Sequence, residues 1–468
     1  MRWCQIHKDG EGLQVNRQSM EIPKGFASNR VWWLNPAVAF GGPAIIAGFV
    51  AYITESANYV HFWRTPKYFD GSSLGLLVLA VSFFSCGCIL GLARRNGGGA
   101  RREEDWTLAI PWRSVRLLFS ASFFLTVVAY AIWFGVGLKH GLNLQVIMNI
   151  IRGSSDASYY LRDEYLPTIP GVTTGTQFGL TVIALAVPLG FAQGWRTVRW
   201  QCGTVFMLAF FRALLNSERL ALLEVLVPFV VSFVGLKTLA SRRLRLIVGS
   251  APLLAVTLLY FFFGVSEYFR SWSAFYAARE TSFWSFVGLR LMGYYTTALN
   301  NGALLWKIRN PLSLDLSLGT FMFLWKFPVI KDVLPIVLSA LGLKPLPSLA
   351  IVDQRYADVL LANANPEFNN ATGIYIPFVD FGVAGGLLYW LLCGVVCGYL
   401  YKEFSRRTAP GVFLYPVLYI ALIEASRVLY WSDGRFFPGM FLLTVSVIFV
   451  FRKAEPAFSG GLVARAQS

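Results

Sequence analysis

Ten apolar runs divide the chain, at 37–53, 74–92, 117–136, 178–192, 203–215, 220–236, 246–265, 379–401, 412–430 and 439–451. A helix rises 1.5 Å per residue, so most of these runs are long enough to cross a hydrocarbon core of about 30 Å. The fifth and the last are short, and the fifth and sixth are separated only by Asn216, Ser217, Glu218 and Arg219. The pattern predicts an all-α polytopic membrane protein of about ten transmembrane helices, with one large extracytoplasmic loop between helices 7 and 8. The expected organisation is a cytoplasmic N-terminal segment (1–36) and seven helices (37–265) with an extracytoplasmic loop at 139–177. The large loop (266–376), three helices (377–452) and a cytoplasmic tail (453–468) follow. Within the large loop, the apolar patches 318–324 and 333–343 are expected to lie on or dip into the outer interface.

Composition strengthens this reading. Of 468 residues 56% are hydrophobic and only 14% charged, which does not fit a soluble chain of this length. The formal net charge of +16 could suggest nucleic acid, but the Lys and Arg residues lie in short clusters between apolar runs, so no nucleic-acid partner is expected. The N-terminal segment, the connections 94–116, 196–199, 237–245 and 402–407, and the tail together with Arg452 just before it hold 23 of the 41 Lys and Arg residues. The positive-inside rule then puts both termini in the cytoplasm of a bacterial inner membrane. The first 30 residues lack an apolar core, so no cleavable signal is expected. Six cysteines, at 4, 86, 88, 202, 393 and 397, fall in apolar or cytoplasmic segments and imply no disulfide framework.

Charge inside an apolar run is costly, so Arg212, Glu224, Glu424 and Arg427, with Glu218 and Arg219 at the turn between runs five and six, are either functional or paired. The pairs expected are Arg219 with Glu224 and Arg427 with Glu424. Arg219 lies near the outer surface, where a guanidinium can grip a pyrophosphate bidentately. In the large loop, Arg279, Arg290 and Asn301 recur every eleven residues, so a helix there would bring them to one face with Tyr294. Such a face suits a phosphorylated sugar, with cations holding the charge and Tyr rings covering the sugar's apolar side. A solvated basic helix would give the same spacing.

Histidine occurs only at 7, 61 and 140, outside the large loop, which argues against histidine catalysis and a metal site. No phosphate loop or dinucleotide fingerprint appears, so no cofactor is expected and the driving energy would come from the substrate. A sugar on a lipid diphosphate carries a good leaving group. Inverting transfer then needs one base for the acceptor hydroxyl and cations for the departing diphosphate. Glu218, Glu280, Asp353 and Glu367 are the base candidates.

The run Asn369-Asn370-Ala371-Thr372-Gly373-Ile374-Tyr375, followed by Val379-Asp380-Phe381-Gly382-Val383-Ala384-Gly385-Gly386, resembles the oligosaccharide repeat-unit polymerases, the Wzy-type O-antigen and exopolysaccharide polymerases. Gly382, Gly386, Gly394 and Gly398 then line one helix face and permit close packing. The resemblance extends to the plan of ten or more spans, an arginine at the turn of a short helical pair and a large loop before the Asp-Phe-Gly span. One departure is that the arginine-ten-residues-glycine spacing of some members is not kept, since Gly302 comes one residue too late after Arg290.

The resemblance implies the GT-C class of membrane glycosyltransferases. It also implies metal-independent, inverting transfer of a growing glycan from one undecaprenyl diphosphate to the sugar of another lipid-linked repeat unit. The expected catalytic set is Arg270, Glu280 and Arg290; the expected substrate-binding set is Arg219, Arg279, Tyr294, Tyr295, Asn301, Asn369, Tyr375 and Asp380. Partners would be the undecaprenyl-diphosphate-linked oligosaccharide, the lipid bilayer, a chain-length regulator and a flippase. An O-antigen ligase shares this architecture but carries a loop histidine, and a transporter of lipid-linked sugars would show internal repeats. A structural subunit of an export complex is the remaining alternative.

Overall fold

A computed structural model of the protein describes residues 31–93, 110–151, 165–215, 219–237, 241–268, 272, 276–277, 282–309, 319–323, 328–342 and 358–451. Every regular element among them is helical. In chain order the principal helices are α1 (Pro36–Ile53), α2 (Ser56–Trp63), α3 (Gly71–Ala93), α4 (Trp112–Lys139), α5 (Gly179–Gln193), α6 (Arg199–Leu215) and α7 (Arg219–Leu236). They continue as α8 (Arg242–Gly249), α9 (Ala251–Glu267), α10 (Phe283–Ile308), α11 (Pro328–Ala340), α12 (Ile376–Ser405), α13 (Ala409–Glu424) and α14 (Phe437–Val445).

Five stretches are long and apolar enough to cross a bilayer: α1, α3, α4, Val172–Gln193 (which contains α5) and α12. The pair α8 and α9 passes the same test together, bent by 47°. Shorter apolar helices run over Leu220–Leu236, Ala409–Glu424 and Phe437–Val450. The chain is thus a membrane-embedded helical protein, and each of the ten apolar runs carries a helix. Local signals set the ends. Asn35 accepts a hydrogen bond from Ala37 N (2.9 Å) with Pro36 in the first turn of α1, and Ser282 caps α10 through Ser285 N (3.5 Å).

The tightest packing joins α3 to α12. A Cβ added at Gly87 or Gly91 would overlap the backbone of Leu391 or Val395, and one at Gly394 or Gly398 would overlap that of Phe84 or Cys88. Only glycine allows the two backbones this close. Gly394 and Gly398 behave as the sequence suggests, but Gly382 does not join them: at φ 75° and ψ −176° it breaks α12 near its start. Gly386 packs instead on Phe378 of its own helix. Around the seam, α5 and α13 are buried on nearly every side and form the centre of the bundle.

The segment expected as one large loop holds a long helix. Over the 26 residues of α10, every position from Thr296 to Leu305 is buried, and the helix packs on α1, α9 and α12. Thr, Asn, Ala and Gly alternate there with Leu299, Leu304 and Leu305 rather than forming a continuous apolar run, so hydropathy did not register it as a buried helix. In α11, Val333, Ile336 and Val337 are exposed.

Candidate functional site

Helix α10 places a polar stripe against the stretch 365–371 that leads into α12. Arg290 is only 7% exposed; its Nε donates to Glu267 Oε2 at 2.6 Å and its Nη1 to Glu367 Oε2 at 2.7 Å. Glu267, at the end of α9, is fully buried, whereas Glu367 is 43% exposed. The rings of Tyr276, Phe286 and Phe368 surround the guanidinium at 5.4–5.7 Å. The Tyr276 hydroxyl lies 3.3 Å from Glu367 Oε2, and burial pushes its pKa up; Glu367 adds to the rise while Arg290 opposes it. Tyr276 therefore stays protonated and donates.

Farther along the stripe, the Tyr294 ring meets Phe368 edge-on at 5.4 Å. Asn301, fully buried, donates through Nδ2 to Phe368 O (2.7 Å) and Asn370 O (3.0 Å). Its neighbour Asn300 faces the stretch before α3, donating to Pro66 O (2.8 Å) and accepting from Tyr68 N (2.6 Å) and Phe69 N (2.9 Å). Two turns beyond, Lys307 Nζ meets Asp70 Oδ2 at 2.8 Å. Burial would raise the Asp70 pKa, but hydrogen bonds from Lys307, Ser72 and Ser73 outweigh it and hold the carboxyl well below its usual range. Thus α10 ties two connecting segments together through adjacent amides.

Beside this junction lies a cavity of about 650 Å³. One wall is apolar, with Leu305, Leu360, Leu361, Ile376 and Leu429; the polar lining comes from Asn365, Asn369, Asn370, Ser432 and Asp433. Asn365 is committed, donating to Trp63 O and accepting from Glu367 N at 3.0 Å each, and Ser432 bridges Gly319 O and Met322 N. The carboxamides of Asn369 and Asn370 make no hydrogen bond within the described residues, and the Asp433 carboxylate accepts only a long one from Arg435 N (3.4 Å). Three polar side chains are thus open toward a half-apolar space.

Of the residues expected from sequence, Arg290, Tyr294 and Asn301 do share one face of α10. That face is turned into the protein and meets the 365–371 stretch, so Arg290 is not an open cation but the centre of a two-carboxylate cluster. Arg279, Arg270 and Glu280, and the further base candidates Glu218 and Asp353, lie outside the described residues. Helix α10 starts at Phe283, after an extended Ser282. Tyr295 points elsewhere and packs on the main core. Asn369 lines the cavity. Tyr375 is buried, donating its hydroxyl to Ser73 O at 2.6 Å, and Asp380 accepts from Thr320 N (2.7 Å) and Oγ1 (2.5 Å). These two hold neighbouring segments in place.

The embedded charges pair partly as expected. Arg427 Nε lies 3.0 Å from Glu424 Oε2. Arg219 opens α7, and its side chain lies outside what is described; Glu224 meets Arg435 Nε at 3.2 Å and accepts a hydrogen bond from the Tyr430 hydroxyl. Arg212 donates to Thr176 Oγ1 at 2.5 Å and lies over the Trp133 ring. Sequence reasoning missed Glu267, Asp433 and Arg435. Glu267 falls two residues past the end of the seventh apolar run, and the rule that flags buried charge would have found it had the helix been extended by half a turn. Asp433 and Arg435 sit between the last two runs and carry no local signal.

Compared with known protein families, with curated proteins and with solved structures, the chain matches none.

Proposed function

We propose that this protein is a membrane glycosyltransferase that polymerises lipid-linked oligosaccharide repeat units, moving a growing glycan from undecaprenyl diphosphate to a sugar of the next lipid-linked unit. The observation that carries this reading is the cavity in which Asn369, Asn370 and Asp433 stand uncommitted opposite an apolar wall. Carboxamides match sugar hydroxyls as donor and acceptor, and aliphatic side chains cover a sugar's apolar face. In this reading Asp433 takes the proton of the acceptor hydroxyl. Arg309 serves the departing diphosphate: it lies one turn beyond cavity-lining Leu305, stacks on Trp306 at 3.7 Å and spends one N–H on Phe378 O (3.2 Å). It has no carboxylate partner among the described residues. Arg290 is a positioning residue that orients Glu367 and the 365–371 stretch. The same proposal includes ten spans, the GT-C class, a bacterial inner membrane with both termini in the cytoplasm, and work alongside a flippase and a chain-length regulator.

The test is gel profiling of lipid-linked and surface glycans in a deletion strain carrying the wild-type gene, Asp433→Asn or Asn370→Ala. Single repeat units should accumulate in the deletion strain and persist with Asp433→Asn at normal protein level. Long chains retained on the carrier lipid in the deletion strain would overturn the polymerase reading and point to a ligase or export step.

A further inference from the structure

The bend between α8 and α9 carries a charge pattern that the carbohydrate reading does not use. Helix α8 reads Arg-Arg-Leu-Arg-Leu-Ile-Val-Gly, and Ser241 caps it through Leu244 N. Arg242, Arg243 and Arg245 are all exposed. At 100° per residue they lie on one side of the helix, while Leu244, Ile247 and Val248 occupy an arc of about 100° opposite them. Arg242 and Arg243 have no carboxylate partner among the described residues. Leu246 and Ile247 are 65% and 59% exposed. The helix is therefore apolar on one side and carries its three arginines on the other, where Leu246 lies among them, and protein leaves much of both uncovered.

Two contacts fix its depth. The indole of Trp32 donates to Gly249 O (3.0 Å) and that of Trp33 to Val248 O (2.7 Å), satisfying carbonyls left open at the end of α8. Both tryptophans directly precede α1, a candidate span that starts at Pro36, and Tyr419 anchors Trp33 by donating to its carbonyl (2.7 Å). The end of α8 is thus level with the end of a membrane span. A 47° bend tilts α8 off the axis of α9, so the two do not continue as one straight span. Trp32, 56% exposed, is the amphipathic ring expected at such a level.

We infer that α8 is an interfacial helix that binds the headgroups of bulk anionic phospholipid through Arg242 and Arg243, with its apolar arc in the acyl boundary. Charge complementarity and continuity with the α9 span commit it to that occupant. The inference does not depend on the proposed glycosyl transfer.

Native mass spectrometry of the full-length protein in detergent, titrated with phosphatidylglycerol, phosphatidylcholine or a polyprenyl diphosphate, tests it. The wild type should retain phosphatidylglycerol over phosphatidylcholine, and R242Q/R243Q should lose roughly tenfold of that preference, whereas R242K/R243K and R113Q keep it. In the wild type the preference should also fall as ammonium acetate is raised, a readout independent of variant folding. Unchanged preference in R242Q/R243Q, an equal loss in R113Q, or stronger retention of the polyprenyl diphosphate than of phosphatidylglycerol would overturn the assignment.

Discussion

The seam between α3 and α12 and the junction between α10 and the 365–371 stretch are both buried, yet opposite means hold them. At the seam, four glycines remove side chains so that backbones touch, and the gain is dispersion over a long, regular contact. At the junction, Arg290, Asn300 and Asn301 supply directed bonds to irregular backbone and to carboxylates. A regular helix pair satisfies its own peptide groups and needs only shape. An irregular segment has open carbonyls and amides that side chains must meet. The cavity lies beside the junction, where irregular chain leaves polar groups turned toward open space.

The sharpest break of this comparison is at the seam. Gly394→Leu forces a side chain into the Phe84 backbone and should cost about 4 kcal/mol or more, seen as loss of folded protein on detergent extraction. Gly75→Leu on the same helix pair meets nothing within 4 Å and should leave the thermal midpoint unchanged. Equal effects of the two would mean that close packing does not hold the seam.

At the junction, Arg290→Met leaves Glu267 buried without its cation and should destabilise by about 3–5 kcal/mol. The double change Arg290→Met with Glu267→Gln should recover much of this, and additive losses would show that the pair does not couple. Asn301→Ala strands the carbonyls of Phe368 and Asn370 and should cost about 1–3 kcal/mol in thermal unfolding, with Asn301→Asp no better because it lacks the amide donor.

Asp433→Asn should leave stability within about 0.5 kcal/mol of wild type while abolishing polymer, since the carboxylate holds little of the fold together. The smallest effect is expected at Asp70. Its folded pKa lies below its unfolded value, so its contribution is present above about pH 4 and is lost only as pH falls through the folded value. Melting curves between pH 5 and 8 should therefore show no difference between wild type and Asp70→Asn that depends on pH.

Reading the sequence was sufficient for the membrane class, the positions of ten helices and the Arg427–Glu424 pair. Each depends on local composition: bilayer thickness fixes the length of an apolar run, and an embedded charge needs a partner a turn away. The same reading put Arg290, Tyr294 and Asn301 on one helix face, because spacing along a helix fixes direction around it.

Tertiary structure decided what that face meets. Whether Arg290 is an open cation or the centre of a buried cluster depends on Glu267 and Glu367, 23 and 77 residues away in the chain. Glu224 meets Arg435 across 211 residues, and Asp433 enters the cavity only because the α13–α14 connection folds beside the 365–371 stretch. Helix periodicity is written locally and survives in the sequence. Which polar group is neutralised, and which is left open, is a property of contacts between distant segments that no local pattern records.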